Sequence, residues 1–76
     1  KDDAAKAICE YGNKFFNVRG EVPTVSQLLN YMLEEDDNNY GVKYNEKTKQ
    51  HVIADTSFTR PTFRKRFNRY LENGKN

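Results

Sequence analysis

The chain has 76 residues and a mass of 8.9 kDa, which is enough for one domain with a small core. Hydrophobic residues make up 36% of it and charged residues 32%, and no apolar run approaches the roughly 18 residues of a membrane span. A single cysteine, Cys9, excludes an intrachain disulfide framework and a multi-cysteine metal cluster. We therefore expect residues 1–76 to form one domain, cytoplasmic and without membrane contact. The chain lacks an initiator methionine, which fits either a processed protein or a domain excised from a longer one.

Charge is distributed unevenly along the chain. The formal net charge is +2, but residues 58–76 contain six basic residues and one acid, which gives +5. The other 57 residues carry −3. An asymmetry of this kind indicates a polyanionic partner.

Hydrophobic periodicity predicts two helices in the first half of the chain. The first spans about residues 2–18 and stops at Gly20. The second follows Thr24, which is spaced to form a capping box with Gln27, and ends near Glu34. The acids at residues 34–37 are interpreted as a solvated turn. The predicted buried faces consist of Ala4, Ile8, Tyr11, Phe15 and Val18 in the first helix, and of Val25, Leu28, Leu29, Met32 and Leu33 in the second.

The second half of the chain predicts a β-hairpin and then a third helix. The hairpin covers residues 40–55, with a polar loop at residues 45–48. The helix covers about residues 59–73, with Thr59 or Arg60 as its N-cap, Pro61 in its first turn and its C-cap at residues 73–74. Its buried stripe consists of Phe63, Phe67, Tyr70 and Leu71. The predicted fold class is α+β, mostly helical: three helices in a helix-turn-helix arrangement, with a wing-like β-hairpin between helices two and three.

Residue patterns typical of enzymes are lacking. His51 and Cys9 are far apart in sequence, and the four glycines are isolated, so they form no phosphate-binding loop. The acidic run lacks the alternating ligands and the glycine of a calcium loop. We therefore expect no catalytic residues, no metal, no cofactor and no small-molecule substrate.

The third helix carries the most specific functional signal. Five basic residues fall between positions 60 and 69 with no acid among them, hydroxyl residues occupy the first turn, and an aromatic stripe backs the helix. A major-groove recognition helix has this pattern, although a solvated basic face would also produce it. Base contacts are expected from Arg60, Thr62 and Arg66, and phosphate contacts from Arg64, Lys65 and Arg69. The predicted DNA-binding residues of this helix are thus Thr59, Arg60, Thr62, Arg64, Lys65, Arg66 and Arg69.

Two short motifs carry a family resemblance. Three alanines lie in the first helix, a Gly-x-x-Pro-Thr-Val motif precedes the second, and Thr-x-x-Thr-Phe opens the third, which closes in a tyrosine. The residues are Ala4, Ala5, Ala7, Gly20, Pro23, Thr24, Val25, Thr59, Thr62, Phe63 and Tyr70. Here the chain resembles the N-terminal DNA-binding domain of KfrA-type plasmid proteins, which implies a helix-turn-helix. That family joins helices two and three by a short turn, whereas about 20 residues intervene here. At the start of the second helix, Thr24 and Ser26 are further candidate DNA contacts.

The hairpin gives further candidates. Lys43, Lys47 and Lys49 are positioned to touch the DNA backbone or minor groove if the hairpin is a wing, while Glu46 beside them favours a merely solubilising turn. Tyr40 and Tyr44 are candidates for stacking on single-stranded bases.

The sequence thus predicts a prokaryotic, phage or plasmid regulator that binds double-stranded DNA specifically. We expect it to act in transcription or in plasmid or phage maintenance, and to be nucleoid-associated when bound to DNA. We also expect a homodimer, whose contacts lie within this chain or in a region outside it. Two alternatives stay open. One is an adaptor or inhibitor that docks its basic helix on an acidic protein, and the other is a single-strand binder.

Overall fold

The computed structural model describes residues 3–72 and contains three helices with a small sheet between the second and the third. The helices are α1 (Asp3–Arg19), α2 (Val25–Glu35) and α3 (Arg60–Glu72), and the strands are β1 (Lys43–Asn45), β2 (Gln50–Ile53) and β3 (Thr56–Phe58). The predicted α+β class, mostly helical with a β element between helices two and three, is confirmed. The third strand was not predicted. None of the helices within residues 3–72 is long and apolar enough to cross a membrane.

The helix ends follow the predicted signals. Gly20 has φ +76 and donates its N–H to the Phe16 carbonyl at 2.7 Å, which ends α1 in the left-handed conformation that glycine favours. The predicted capping box of α2 is confirmed: the Gln27 N–H donates to Thr24 Oγ1, and the Thr24 N–H donates to the Gln27 side chain. Thr59 precedes α3, as predicted. The predicted C-cap of α3 at residues 73–74 lies outside the described residues.

The sheet is antiparallel, with strand order β1-β2-β3. The β1–β2 turn comprises residues 46–49, one residue later than predicted, and the Asn45 side chain shapes it by accepting from the Lys47 and Thr48 N–H groups. The β2–β3 turn consists of Ala54 and Asp55, with φ values of 51° and 68°. A two-residue turn with both φ values positive usually contains Asn-Gly, so these two residues carry no local sign of a second hairpin.

The strand directions give the sheet two distinct ends. In antiparallel strands, the end of β1, the start of β2 and the end of β3 lie together. This end, which we call the α3 end, comprises the 46–49 turn and residues 59–60. The other, the Tyr40 end, comprises the 54–55 turn and Tyr40, whose carbonyl accepts from the Ala54 N–H at 2.8 Å.

The core lies between the three helices and the inner face of the sheet. Its buried side chains are Ala4, Ala7, Ile8, Tyr11, Phe15, Leu28, Leu29, Tyr31, Met32, Ile53, Phe58, Phe63, Phe67 and Tyr70. Four residues predicted to be buried are not: Val18 is 67% exposed in the last turn of α1, Leu33 is 37% exposed on α2, and Val25 and Leu71 are half-buried. Tyr31 is buried instead, because its ring packs edge-to-face on Phe15 and Tyr11.

Asp36 corrects the prediction of a fully solvated acidic turn. It is 3% exposed and accepts hydrogen bonds from the Tyr11 hydroxyl at 2.8 Å and from the Tyr40 and Val42 N–H groups, each at 3.0 Å. Burial alone would raise the pKa of Asp36, but these donors together outweigh it and hold the pKa below its ordinary value. Asp36 thereby fixes the 36–42 loop to α1. Tyr40 is half-buried rather than exposed, and its hydroxyl donates to Glu10 at 2.7 Å.

Gly12 sets the distance between α1 and α3. It is buried, and a Cβ added there would lie 2.8 Å from Tyr70 Cζ, closer than real Cβ contacts allow. The Tyr70 hydroxyl donates to Asn13 Oδ1 at 2.7 Å. The lower helix propensity of glycine is therefore offset by a close helix–helix approach that fixes α3 on the scaffold.

Candidate nucleic-acid interface

The two faces of α3 are chemically distinct. Phe63, Phe67 and Tyr70 are buried against the core, while Arg64, Lys65 and Arg69 are exposed, as predicted. At 3.6 residues per turn, residues three, four or seven apart share a helix face, so Thr62, Lys65 and Arg69 form one stripe on the side away from the core. We call this stripe together with Arg64 the basic face of α3.

The start of α3 meets the start of α2. The Arg60 guanidinium donates a hydrogen bond to the Ser26 hydroxyl in the first turn of α2, next to Thr24. This contact brings together candidate residues that are 34 positions apart in sequence. Both helix starts present backbone N–H groups and the positive ends of their dipoles, which favour anions.

The hydroxyl residues at the start of α3 are engaged with each other. Thr59 Oγ1 accepts from the Thr62 N–H at 3.3 Å and donates to Thr62 Oγ1 at 2.9 Å. Thr59 therefore acts as the predicted N-cap. Both residues remain exposed.

Arg66 lies at the border between the basic face and the sheet, four residues after Thr62 and three before Arg69. It is half-buried, and its guanidinium carbon lies 5.4 Å from the centroid of the Phe58 ring on β3. Cation–π contacts of this kind stabilise a fold by about 0.5–1 kcal/mol when partly exposed. Arg66 thus packs α3 on the sheet, which sets it apart from the other residues predicted to contact bases.

The three candidate lysines of the sheet are exposed but divide between two places. Lys47 and Lys49 belong to the 46–49 turn at the α3 end, with Glu46 between Asn45 and Lys47. Lys43 pairs with Val52 farther toward the Tyr40 end. The structure therefore places two of the three lysines at the end of the sheet where α3 begins.

His51 and Tyr44 connect the sheet with the start of α3. They are cross-strand partners, and their ring centroids lie 4.8 Å apart. On its other side His51 pairs with Phe58, two residues before Arg60. Burial, and then the positive charge of Arg60, lower the pKa of His51 below its ordinary value of 6.5. His51 was not predicted to belong to the interface, because its nearness to Arg60 depends on the register of β3.

Some acidic residues lie at the Tyr40 end, whereas Glu46 belongs to the turn at the α3 end. Asp55 occupies the turn at the Tyr40 end. A shallow cavity there is lined by Asp55, Asp3 and residues 38–41. The α3 end carries Lys47, Lys49 and Arg60 against Glu46, so its net charge is positive and attracts a polyanion.

The described residues lack a metal site, and a shallow groove lies along the edge strand β1. Residues 3–72 hold no group of three or more His, Cys, Asp or Glu side chains arranged to bind a metal ion. A groove of about 580 Å³ runs beside β1, and Lys43, Tyr44 and Lys47 are among the residues that line it.

Comparison of the chain with models of known protein families, with curated proteins and with solved structures finds no match.

Proposed function

We propose that this domain binds double-stranded DNA by inserting α3 into the major groove. The observation that supports this most strongly is the separation of the two faces of α3. Its aromatic residues are buried in the core, while Arg64, Lys65 and Arg69 are exposed without an acid between them. A rigidly packed helix with an exposed basic face fits the width of the major groove.

Phosphate contacts supply most of the affinity in this mechanism. Arg64, Lys65 and Arg69 neutralise phosphates along the groove, and Lys47 and Lys49 contact the backbone beside it. Both helix starts add backbone N–H groups, and the Thr24 and Ser26 hydroxyls lie next to them. Binding driven in this way weakens steeply as salt rises.

Sequence recognition falls to the first turn of α3. The guanidinium of Arg60 can form two parallel hydrogen bonds with guanine O6 and N7. The Thr62 hydroxyl can donate a hydrogen bond to an acceptor on a base edge or accept one from a donor. Arg60 reaches the base by giving up its contact with the Ser26 hydroxyl, a neutral partner. Arg66 is assigned a packing role because of its contact with Phe58.

Two copies are expected to act together. A single module of this size buries only about 600–1,000 Å² on DNA, which limits its affinity and specificity. We propose a homodimer that reads two half-sites, as a cytoplasmic regulator of transcription or of plasmid or phage maintenance. The plasmid part of this role rests on the resemblance of two short motifs to KfrA-type plasmid proteins.

The test is a titration of a fluorescent duplex at several salt concentrations. Arg64→Gln, Lys65→Gln and Arg69→Gln should each weaken binding to every sequence. Each should also reduce the salt slope by about 0.9, the value for one phosphate that is no longer neutralised. Lys6→Gln is the matched control, since it removes one positive charge from an exposed position in the first half of α1. It should leave both quantities nearly unchanged.

Two results would reject the proposal. One is the absence of duplex binding even at low salt, and the other is an equal loss of affinity in Lys6→Gln and in the variants of the basic face. Capture of an acidic protein that survives nuclease treatment and requires the basic face, without duplex binding, would instead favour the adaptor or inhibitor function.

A further inference from the structure

Tyr44 gives the α3 end an exposed aromatic surface. Its side chain is 42% exposed, and its ring is tilted by 53° against that of His51. Within residues 3–72 the other tyrosines are accounted for by the fold: Tyr11, Tyr31 and Tyr70 are buried, and Tyr40 is half-buried with its hydroxyl on Glu10. Core packing therefore does not explain an aromatic residue on this edge strand.

Basic side chains lie on two sides of the Tyr44 ring, and on one of these sides Glu46 and Asp55 offset their charge. Lys43 and Lys47 line the groove of about 580 Å³ that Tyr44 borders, together with Glu46 and Asp55. On the other side, His51 connects Tyr44 with Arg60 at the start of α3. An aromatic ring between cationic groups is the arrangement that binds single-stranded nucleic acid, because the ring stacks on a base while the cations contact the adjacent phosphates.

A continuous duplex does not satisfy this arrangement. Each base of a paired duplex is stacked on its neighbours, so its faces are unavailable to a protein ring, whereas an unpaired base offers its face freely. In the proposed function α3 occupies a duplex groove, and His51 links Tyr44 to Arg60 at the start of that helix. The two requirements are met together where a duplex passes into a single strand.

Building on the proposed function, we propose that Tyr44 stacks on an unpaired base, so that the domain binds DNA at a junction between duplex and single strand. In this mode α3 occupies the major groove of the last paired segment, and the unpaired strand runs along the edge strand β1. Lys43, on β1 beside Tyr44, contacts its phosphates.

The experiment compares one duplex with blunt ends and the same duplex with an overhang of about six unpaired nucleotides, a length within the site size of single-strand binders. We expect the overhang to tighten binding about tenfold, within the range of base–aromatic stacking. Tyr44→Leu should abolish this gain while leaving the blunt-duplex affinity and its salt slope unchanged. Tyr44→Phe, which keeps the ring, should retain the gain, and urea unfolding of each variant should confirm that it is folded.

The outcomes separate this inference from the proposed function. Equal binding of the blunt and overhanging duplexes, or an equal loss of affinity for both DNAs in Tyr44→Leu, would overturn the junction while leaving duplex binding in place. Binding of a single strand without any binding of the blunt duplex would overturn both. A tenfold gain that depends on the Tyr44 ring, with both DNAs weakened by Arg69→Gln, would support both.

Discussion

Asp36 and the basic face of α3 carry their charges in opposite ways. The carboxylate of Asp36 is enclosed by three donors from α1 and the 36–42 loop, and its charge is used within the fold. Arg64, Lys65 and Arg69 hold their charges at the surface, on a helix fixed by its aromatic side. Both regions are runs of like charge in the sequence. The two regions differ in whether hydrogen-bond donors of the fold surround the charged group. A buried charge that accepts such hydrogen bonds stabilises the fold, whereas a charge exposed to solvent is available to a partner.

The strongest test of this contrast is Asp36→Asn. The amide nitrogen would face the N–H groups that the carboxylate accepts, so at least one buried donor would lose its partner. We expect the free energy of unfolding to fall by about 2–3 kcal/mol in urea denaturation. Asp37→Asn, at the exposed neighbouring position, should change it by less than about 0.5 kcal/mol. Similar losses of stability in the two variants would show that the Asp36 network does not hold the loop.

The inner side of α3 offers the next test. Gly12→Ala improves helix propensity but places a Cβ 2.8 Å from Tyr70 Cζ. We expect a net loss of stability of about 1–2 kcal/mol, because overpacking outweighs propensity here. In a Tyr70→Leu background the same substitution should cost far less, which a double-mutant cycle would measure. Additive losses of stability would indicate that the two residues do not meet.

Alkaline pH tests the Tyr11 partner of Asp36. Burial, and then the hydrogen bond to Asp36, raise the pKa of Tyr11 to about 12 from 10.0. Since the folded-state value is the higher one, the stability from Tyr11 is complete below pH 10 and is lost as pH rises from 10 to 12. We expect the stability difference between wild type and Tyr11→Phe to shrink by about 1 kcal/mol from about pH 9 to about pH 11. A difference independent of pH would contradict the buried hydrogen bond.

Arg66 and Arg69 differ in the same way within α3, since Arg66 packs on the sheet and Arg69 is exposed. Arg66→Gln should lower stability by about 0.5–1 kcal/mol, because it removes the contact with the Phe58 ring. Arg69→Gln should change stability by less than about 0.5 kcal/mol, because Arg69 is exposed. Thermal unfolding of the two variants measures the difference. A larger destabilisation by Arg69→Gln would reverse the assignment of the two arginines.

Local signals predicted much of the fold. The capping box at Thr24, the stop at Gly20 and the aromatic stripe of α3 depend on residues a few positions apart, and the structure confirms each. β3 was missed because Ala54 and Asp55 do not resemble a tight turn. The burial of Asp36 was missed because its hydrogen-bond donor Tyr11 lies 25 residues away in the sequence, and no local pattern predicts a partner at that distance.

The candidate site was predictable in composition but not in arrangement. The basic residues of α3 and the turn lysines are visible in the sequence. Their placement at one end of the sheet depends on the pairing of His51 with both Tyr44 and Phe58. The Ser26–Arg60 contact and the packing of Arg66 on Phe58 likewise follow from the third strand, which no local signal predicted.

The Ala54–Asp55 turn has a consequence for the order of folding. Non-glycine residues resist positive φ values, so this turn does not nucleate a hairpin by itself and needs the Tyr40 carbonyl in place to hold it. We expect α1 and α2 to associate first and β3 with α3 to join late, so that the basic helix becomes ordered only after its scaffold. Ala54→Gly, which relieves the turn, should then slow unfolding more than it speeds refolding in stopped-flow measurements. A larger change in the refolding rate would place the turn among the early events instead.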